Sequence, residues 1–262
     1  MSKVLIGPYM GNFKCEIQIF MPYVNYLVSI LDYDEIFISS HYNREFLYSH
    51  IKNINYRSIF GIYTRNELYQ IGIVYKDINK QNFNQISRMI KNDIGDVDEQ
   101  YTLPYVKNTN SISTFQKLFK PFGFNHIYSN DIYFIPDKTK ECKKLYDDVK
   151  NQYNINILGD MNNGLSSYNK LLRNPIYSEI IYKTILEKIQ KSLFVITPCS
   201  EYVIICNLHN IPVLYWGNDA SLYKYGGLYG FGNKNVVSIK EFNISMIEYV
   251  YNKQMEKHNA GI

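Results

Sequence analysis

LFVITPCSEYVIICNLHNIPVLYWG, residues 193–217, is the stretch whose reading decides the fold. Leu193 to Ile196 is a short apolar run with β-branched and aromatic residues, stopped by Thr197-Pro198, and it reads as a buried strand. Ser200 to Asn210 reads as a helix with Ser200 as its expected N-cap, and Ile211 to Tyr215 as the next strand. Parallel neighbours need a crossover, normally right-handed, so two strands joined by one helix on such short connections imply a parallel pair.

The same alternation extends outward. Tyr177 to Lys191 is an expected helix with Ile180, Ile181, Ile185 and Ile189 at helical spacing. Before it, Asp131 to Ile135 reads as a strand, Lys140 to Gln152 as an amphipathic helix with Leu145 and Val149 on one face, and Ile155 to Leu158 as a strand ended by Gly159-Asp160. Ser245 to Lys257 is the expected last helix.

The first half repeats the theme less cleanly. Lys3 to Ile6 reads as a strand stopped by Gly7-Pro8, and Cys15 to Leu31 is long enough for a helix whose start Pro22 kinks or shifts. Glu35 to Ser39 reads as a strand, Tyr56 to Tyr75 as a hairpin or two strands, and Gln81 to Asn92 as a helix. Asp93 to Asn110 is polar and reads as an irregular surface loop. The expectation is an α/β chain of two Rossmann-like lobes with mostly parallel sheets, 1–125 and 126–262, hinged near Pro121-Phe122-Gly123.

Composition excludes some classes. The net charge of +4 comes from 28 basic and 24 acidic residues spread along the chain, without the basic stripe of a dedicated nucleic-acid binder. Cys15, Cys142, Cys199 and Cys206 are dispersed and form no CxxC pair, so neither a zinc knuckle nor a disulfide framework is suggested and a reducing compartment fits. The apolar run Val4 to Ile6 is too short for a signal peptide, and no segment approaches the roughly 18 apolar residues of a membrane span. A cytoplasmic protein is expected, in a host cytoplasm if the source is viral. The 26 Tyr against one Trp match AT-rich coding and carry no mechanism.

In open α/β sheets, ligands bind beyond the carboxyl ends of the strands, where loops and helix N-termini aim backbone N–H groups at anions. Three segments fall there: Gly7 to Phe13, Gly159 to Gly164, and Thr197 to Glu201. Thr197, Ser200 and the following helical amides suit a diphosphate, with Glu201 facing sideways toward a hydroxyl or solvent. None spells the G-x-G-x-x-G of a dehydrogenase. Asp96-Val97-Asp98 has the spacing of a metal-binding pair but reads as solvated surface.

Thr197-Pro198-Cys199-Ser200-Glu201, the helix through His209-Asn210, and Ile211-Pro212-Val213-Leu214-Tyr215-Trp216-Gly217 resemble the donor-site segment of heptosyltransferase-like glycosyltransferases, glycosyltransferase family 9. That segment runs strand, Asp-Ser-Gly, helix, Gly-Ile-Pro, strand, Phe-Gly. Ser200, Ile211, Pro212 and Gly217 match it, whereas Cys199, Glu201 and Asn210 stand where the family has Asp, Gly and Gly. Gly7, Pro8, Gly11, Phe13 and Glu16 are similar to the Gly-Pro-aromatic-x-Gly-Glu-Phe-Gly-Trp-Glu-Leu opening of related bacterial and viral transferases, from which Asn12, Lys14 and Cys15 depart.

The resemblance implies a GT-B fold with an interlobe cleft, 1–125 as acceptor lobe and 126–262 as donor lobe. It implies sugar transfer from a nucleotide-sugar, inverting and without a metal or other cofactor, to a saccharide or a modified DNA base. Glu16 is the expected proton acceptor, ahead of Asp160 and His126. Gly159, Asp160, Thr197, Ser200, Glu201, Trp216 and Asp219 are the expected donor-binding residues, with Trp216 stacking on a base or sugar or serving the core. Lys170 and Arg173 would neutralise the leaving phosphates, Lys14 adding to them, and Gly11, Asn12 and Lys14 would form the acceptor-side loop. A non-catalytic nucleotide or nucleotide-sugar binding module is the alternative.

Overall fold

The computed structural model describes residues 1–10, 16–41, 43–59, 80–103, 129–161, 178–216, 235–241 and 243–260. The chain forms two compact units, Met1–Phe119 with Leu171–Glu179, and Lys120–Lys170 with Ile180–Ile262. The expected division after residue 125 and the hinge candidate Pro121-Phe122-Gly123 lie outside the described residues.

The first unit carries a four-stranded sheet built from β1 (Lys3–Ile6), β2 (Glu35–Ser40), β3 (Ile54–Ser58) and β4 (Glu99–Tyr101), in the order β3-β2-β1-β4. Every pairing in it is parallel. Between β1 and β2 the chain makes a π-type turn at Glu16–Phe20 and then α1 (Met21–Ile30). Pro22 sits in the first turn of α1, directly after the π-type turn, and marks where the regular α-helix starts. Helix α2 (Lys80–Ile94) buries Ile86, Ile90 and Ile94, four residues apart, against Leu5 and Phe37.

The start of one expected element and the character of another are corrected here. The described part of the Tyr56 to Tyr75 segment is the end of β3, which begins at Ile54 and lies parallel to β2; residues 60–79 are outside the description. Within the expected loop Asp93 to Asn110, residues Glu99–Tyr101 form β4 on the edge beside β1. Its sequence is polar because an edge strand of three residues buries little, and pairing with β1 satisfies its backbone instead. Asp98 is exposed, as expected, and its carboxylate accepts from the Lys3 N–H at 2.7 Å.

The second unit carries a five-stranded sheet, β5 (Ile132–Phe134), β6 (Ile155–Ile157), β7 (Phe194–Thr197), β8 (Val213–Trp216) and β9 (Val236–Ile239), in the order β6-β5-β7-β8-β9. It too is parallel throughout. The connecting helices are α3 (Lys140–Val149), α4 (Ser178–Ile189) and α5 (Ser200–Leu208), with α6 (Ile244–Asn259) after β9. β7 and β8 are buried along their whole length, as central strands covered on both faces should be.

Helix α3 buries Cys142, Leu145 and Val149 and leaves its lysines outside. The α4 stripe differs from the expected one: Tyr182, Ile185 and Ile189 face inward, whereas Ile180, two residues before Tyr182 and so on the opposite side of the helix, is exposed. Thr139 caps α3, its hydroxyl accepting from the Cys142 N–H at 3.3 Å. Thr139→Ala is expected to lower stability by about 1 kcal/mol, the usual value of an N-cap, read as a shift of the urea midpoint at constant slope. No helix among the described residues is long and apolar enough to cross a membrane.

Candidate functional site

Each sheet has one place where the chain leaves a strand in one direction and later returns on its other side. In the first sheet this switch point lies between β1 and β4, and in the second between β5 and β7. The loops leaving such neighbours diverge, which opens a crevice beyond their carboxyl ends.

At the first switch point, Gly7 follows β1 with φ +122, a conformation that only glycine adopts readily. Its N–H donates to the Tyr101 carbonyl at 2.8 Å, and its carbonyl accepts from the Gln100 side-chain amide at 2.9 Å. Two residues later the Tyr9 N–H donates to the Ser39 carbonyl at 2.9 Å, and the Tyr9 ring stacks on Phe20 with centroids 4.7 Å apart. The segment Gly7 to Met10 is thereby held against both β2 and β4.

Glu16 begins the turn that follows and is completely buried. Its Oε1 accepts hydrogen bonds from Ser40 Oγ and, at 2.9 Å, from the Tyr48 hydroxyl. Its Oε2 lies 3.6 Å from Nη1 of Arg44, a guanidinium only 1% exposed. Burial raises the Glu16 carboxyl above its ordinary range, opposed by Arg44, Ser40 and Tyr48. Burial likewise lowers Arg44, opposed first by Glu16, but a guanidinium starts so far above neutrality that it keeps its charge. Burial and the nearby Glu16 push Tyr48 well above its usual value, so it remains a neutral donor. The result is a buried ion pair with two further donors, closed by Tyr56, whose hydroxyl donates to the His41 carbonyl and whose ring stacks on Tyr48 at 5.8 Å.

At the second switch point, Thr197 ends β7 fully buried, and its hydroxyl accepts from the Cys199 N–H at 3.0 Å. The cap of α5 is Cys199, with extended backbone and no side-chain cap bond, and Ser200 is the first helical residue. The expectation of Ser200 as N-cap is therefore corrected by one position: the Thr197 turn brings the Cys199 amide under the Thr197 hydroxyl, and the helix starts directly afterwards. The body of α5 from Tyr202 to Leu208 is enclosed in the core, whereas Cys199 and Glu201 at its amino end are half-buried. Beyond β5, the Asp137 carboxylate accepts from the Thr139 N–H at 2.8 Å.

Among the described residues, the charged groups that shift the two thiols at this end of the sheet are carboxylates. Burial pushes the Cys199 thiol up to about 12, and Glu201 and Asp137 add to the shift. The Cys142 thiol is likewise pushed up to about 12 by burial, with Asp137 and Cys199 contributing. Both thiols are protonated at neutral pH and are poor nucleophiles.

Of the other expected site residues, Gly159 has φ +119 at the end of β6, and Asp160 after it is exposed. Trp216 is 9% exposed and packs against Phe134 with centroids 5.9 Å apart. Gly11, Asn12, Lys14, His126, Lys170, Arg173 and Asp219 lie outside the described residues. Sequence reasoning missed Arg44, Ser40, Tyr48 and Asp137. Nothing local marks Arg44 as buried, since Asn43-Arg44-Glu45 reads as a solvated turn. Among the described residues, no group of three or more His, Cys, Asp and Glu stands together as a metal site. No family model and no curated protein matches this chain.

Proposed function

We propose that the protein is a GT-B-type glycosyltransferase that moves a sugar from a nucleotide-sugar to an acceptor hydroxyl, inverting and without a metal. The observation that carries this reading is positional. Thr197 to Glu201, the segment that resembles a glycosyltransferase donor site, emerges at the switch point of the second sheet, where parallel α/β sheets bind nucleotides. The Gly7 to Met10 segment, which resembles a transferase opening, stands at the corresponding point of the first. In this reading the second unit binds the donor through Thr197, Ser200, Gly159 and Asp160. Lys170 and Arg173 meet the phosphates, Trp216 and Asp219 serve the base or sugar, and Gly11, Asn12 and Lys14 face the acceptor.

The alternative is a nucleotide-sugar binding protein without transferase activity, because Cys199 and Glu201 stand where the resembling transferases carry Asp and Gly. A thermal-shift screen against nucleotide-sugars separates these readings from a chain that binds no nucleotide. A ligand at one hundred times its Kd adds about 2.7 kcal/mol to the native state, and on that basis at least one nucleotide-sugar is expected to raise the melting temperature by several degrees. No shift with any nucleotide or nucleotide-sugar removes both readings. A shift without transfer to glycans or to modified DNA selects the binding module, and salt-dependent DNA binding selects a DNA acceptor.

A further inference from the structure

Three side chains of the first unit converge on one carboxylate. Glu16 opens the turn before α1, Ser40 ends β2, and Arg44 and Tyr48 flank the 3-10 turn Glu45–Leu47. We infer that Glu16 is a positioning residue, a buried clasp that with Ser40, Tyr48 and Arg44 fixes the far end of the connection between Met10 and the first helix. The part of this inference that concerns an acceptor rests on the transferase reading; the clasp does not.

A general base must come within hydrogen-bond reach of the proton it takes. Glu16 has no exposed surface, its Oε1 is taken by Ser40 and Tyr48, and its Oε2 faces the buried Arg44 guanidinium. What those bonds accomplish is visible in the neighbouring residues Ser39 and Ser40. The Ser39 carbonyl holds the Tyr9 N–H at 2.9 Å, before the connection, and the Ser40 hydroxyl holds Glu16, after it. Two successive residues at the end of β2 thus bind Tyr9 on one side and Glu16 on the other. The Arg44 guanidinium 3.6 Å from Oε2 opposes the effect of burial on the carboxyl, while Oε1 accepts both hydroxyls. The role this gives Glu16 differs from proton acceptance, and the two roles separate by experiment.

The full chain is compared as wild type, Glu16→Gln and Glu16→Gln/Arg44→Met. Glutamine keeps a carbonyl oxygen for Ser40 and Tyr48 but leaves the Arg44 charge buried without its counter-charge; the second substitution removes that charge. For the clasp, Glu16→Gln is expected to lower the melting temperature by more than about 5 °C. It should also speed amide exchange of residues 4–10 and 16–21 at least about tenfold. The double variant is expected to recover most of both losses. With a donor found by the thermal-shift screen, the double variant should regain at least about a tenth of wild-type turnover and keep the acid limb of the wild-type pH profile. Recovery of melting temperature and exchange protection with turnover still down more than about a hundredfold, or with the acid limb gone, makes Glu16 the proton acceptor and overturns the inference. A double variant that recovers neither melting temperature nor protection overturns the clasp. Should Glu16→Gln not fold, the double variant is compared with wild type alone on the same readouts. If wild type itself transfers no sugar, the transferase reading fails, and melting and exchange decide the clasp without it.

Discussion

Gly7→Ala is expected to unfold the first unit or to destabilise it by about 4 kcal/mol or more, in the range where single substitutions are exceptional. Two effects act together. The backbone at Gly7 has φ +122, where an L side chain is strained, and a methyl group there would overlap the Ser39 carbonyl oxygen. That oxygen cannot step aside freely, because it accepts the Tyr9 N–H and belongs to β2, which is hydrogen-bonded between β1 and β3. Relief would require β1 and β2 to part in the middle of the sheet. Gly95→Ala is the control: it also has positive φ, +83, but a methyl group there meets only the flexible Lys3 Nζ at 4.0 Å. It should cost about 1–2 kcal/mol, the backbone contribution alone. Urea unfolding of both variants checks the pair, and a Gly7→Ala loss no larger than that of Gly95→Ala would sink the close-approach argument.

Arg44→Met is expected to cost about 3–5 kcal/mol at neutral pH, because it leaves the Glu16 carboxylate buried without its cation. The dependence on pH is the sharper result. Burial already raises Glu16, and Arg44 is the largest influence that opposes it, so its removal raises the carboxyl further. A carboxyl whose folded value exceeds its unfolded value, near 4.3, favours the folded state below the unfolded value. That contribution is lost as pH rises through the folded value. The stability gap between wild type and Arg44→Met should therefore be smallest near pH 4 and widen toward pH 8. Urea midpoints across that range measure it. A gap that does not change with pH would mean that Glu16 is not the ionised partner of Arg44.

The two substitutions probe one region from different sides, and together with the clasp they explain why the opening of the chain carries so many special residues. Gly7 lets β1 end within contact of Ser39, Tyr9 fastens the next residues to that same serine, and Glu16 returns the chain to Ser40.

By itself the sequence determined the repeating strand-helix order, the parallel sheets and, in the second unit, nearly every element. Phe194 to Thr197 and Val213 to Trp216 are apolar runs that only a doubly covered strand tolerates, and Leu145 and Val149 mark the inner face of α3 by spacing alone. These features are local: side-chain period and punctuation by Pro and Gly suffice to write them. Tertiary structure decided what depends on a distant partner. Glu99–Tyr101 is a strand only because β1 offers it an edge, and Cys199 rather than Ser200 caps α5 because Thr197 folds back on its amide. Resemblance alone singles out Glu16 in the sequence; its enclosure follows from Ser40, Arg44 and Tyr48, residues 24 to 32 positions away, whose donors converge only when β2 is in place. Periodicity records which face of an element is dry, but not which polar groups from elsewhere will meet there.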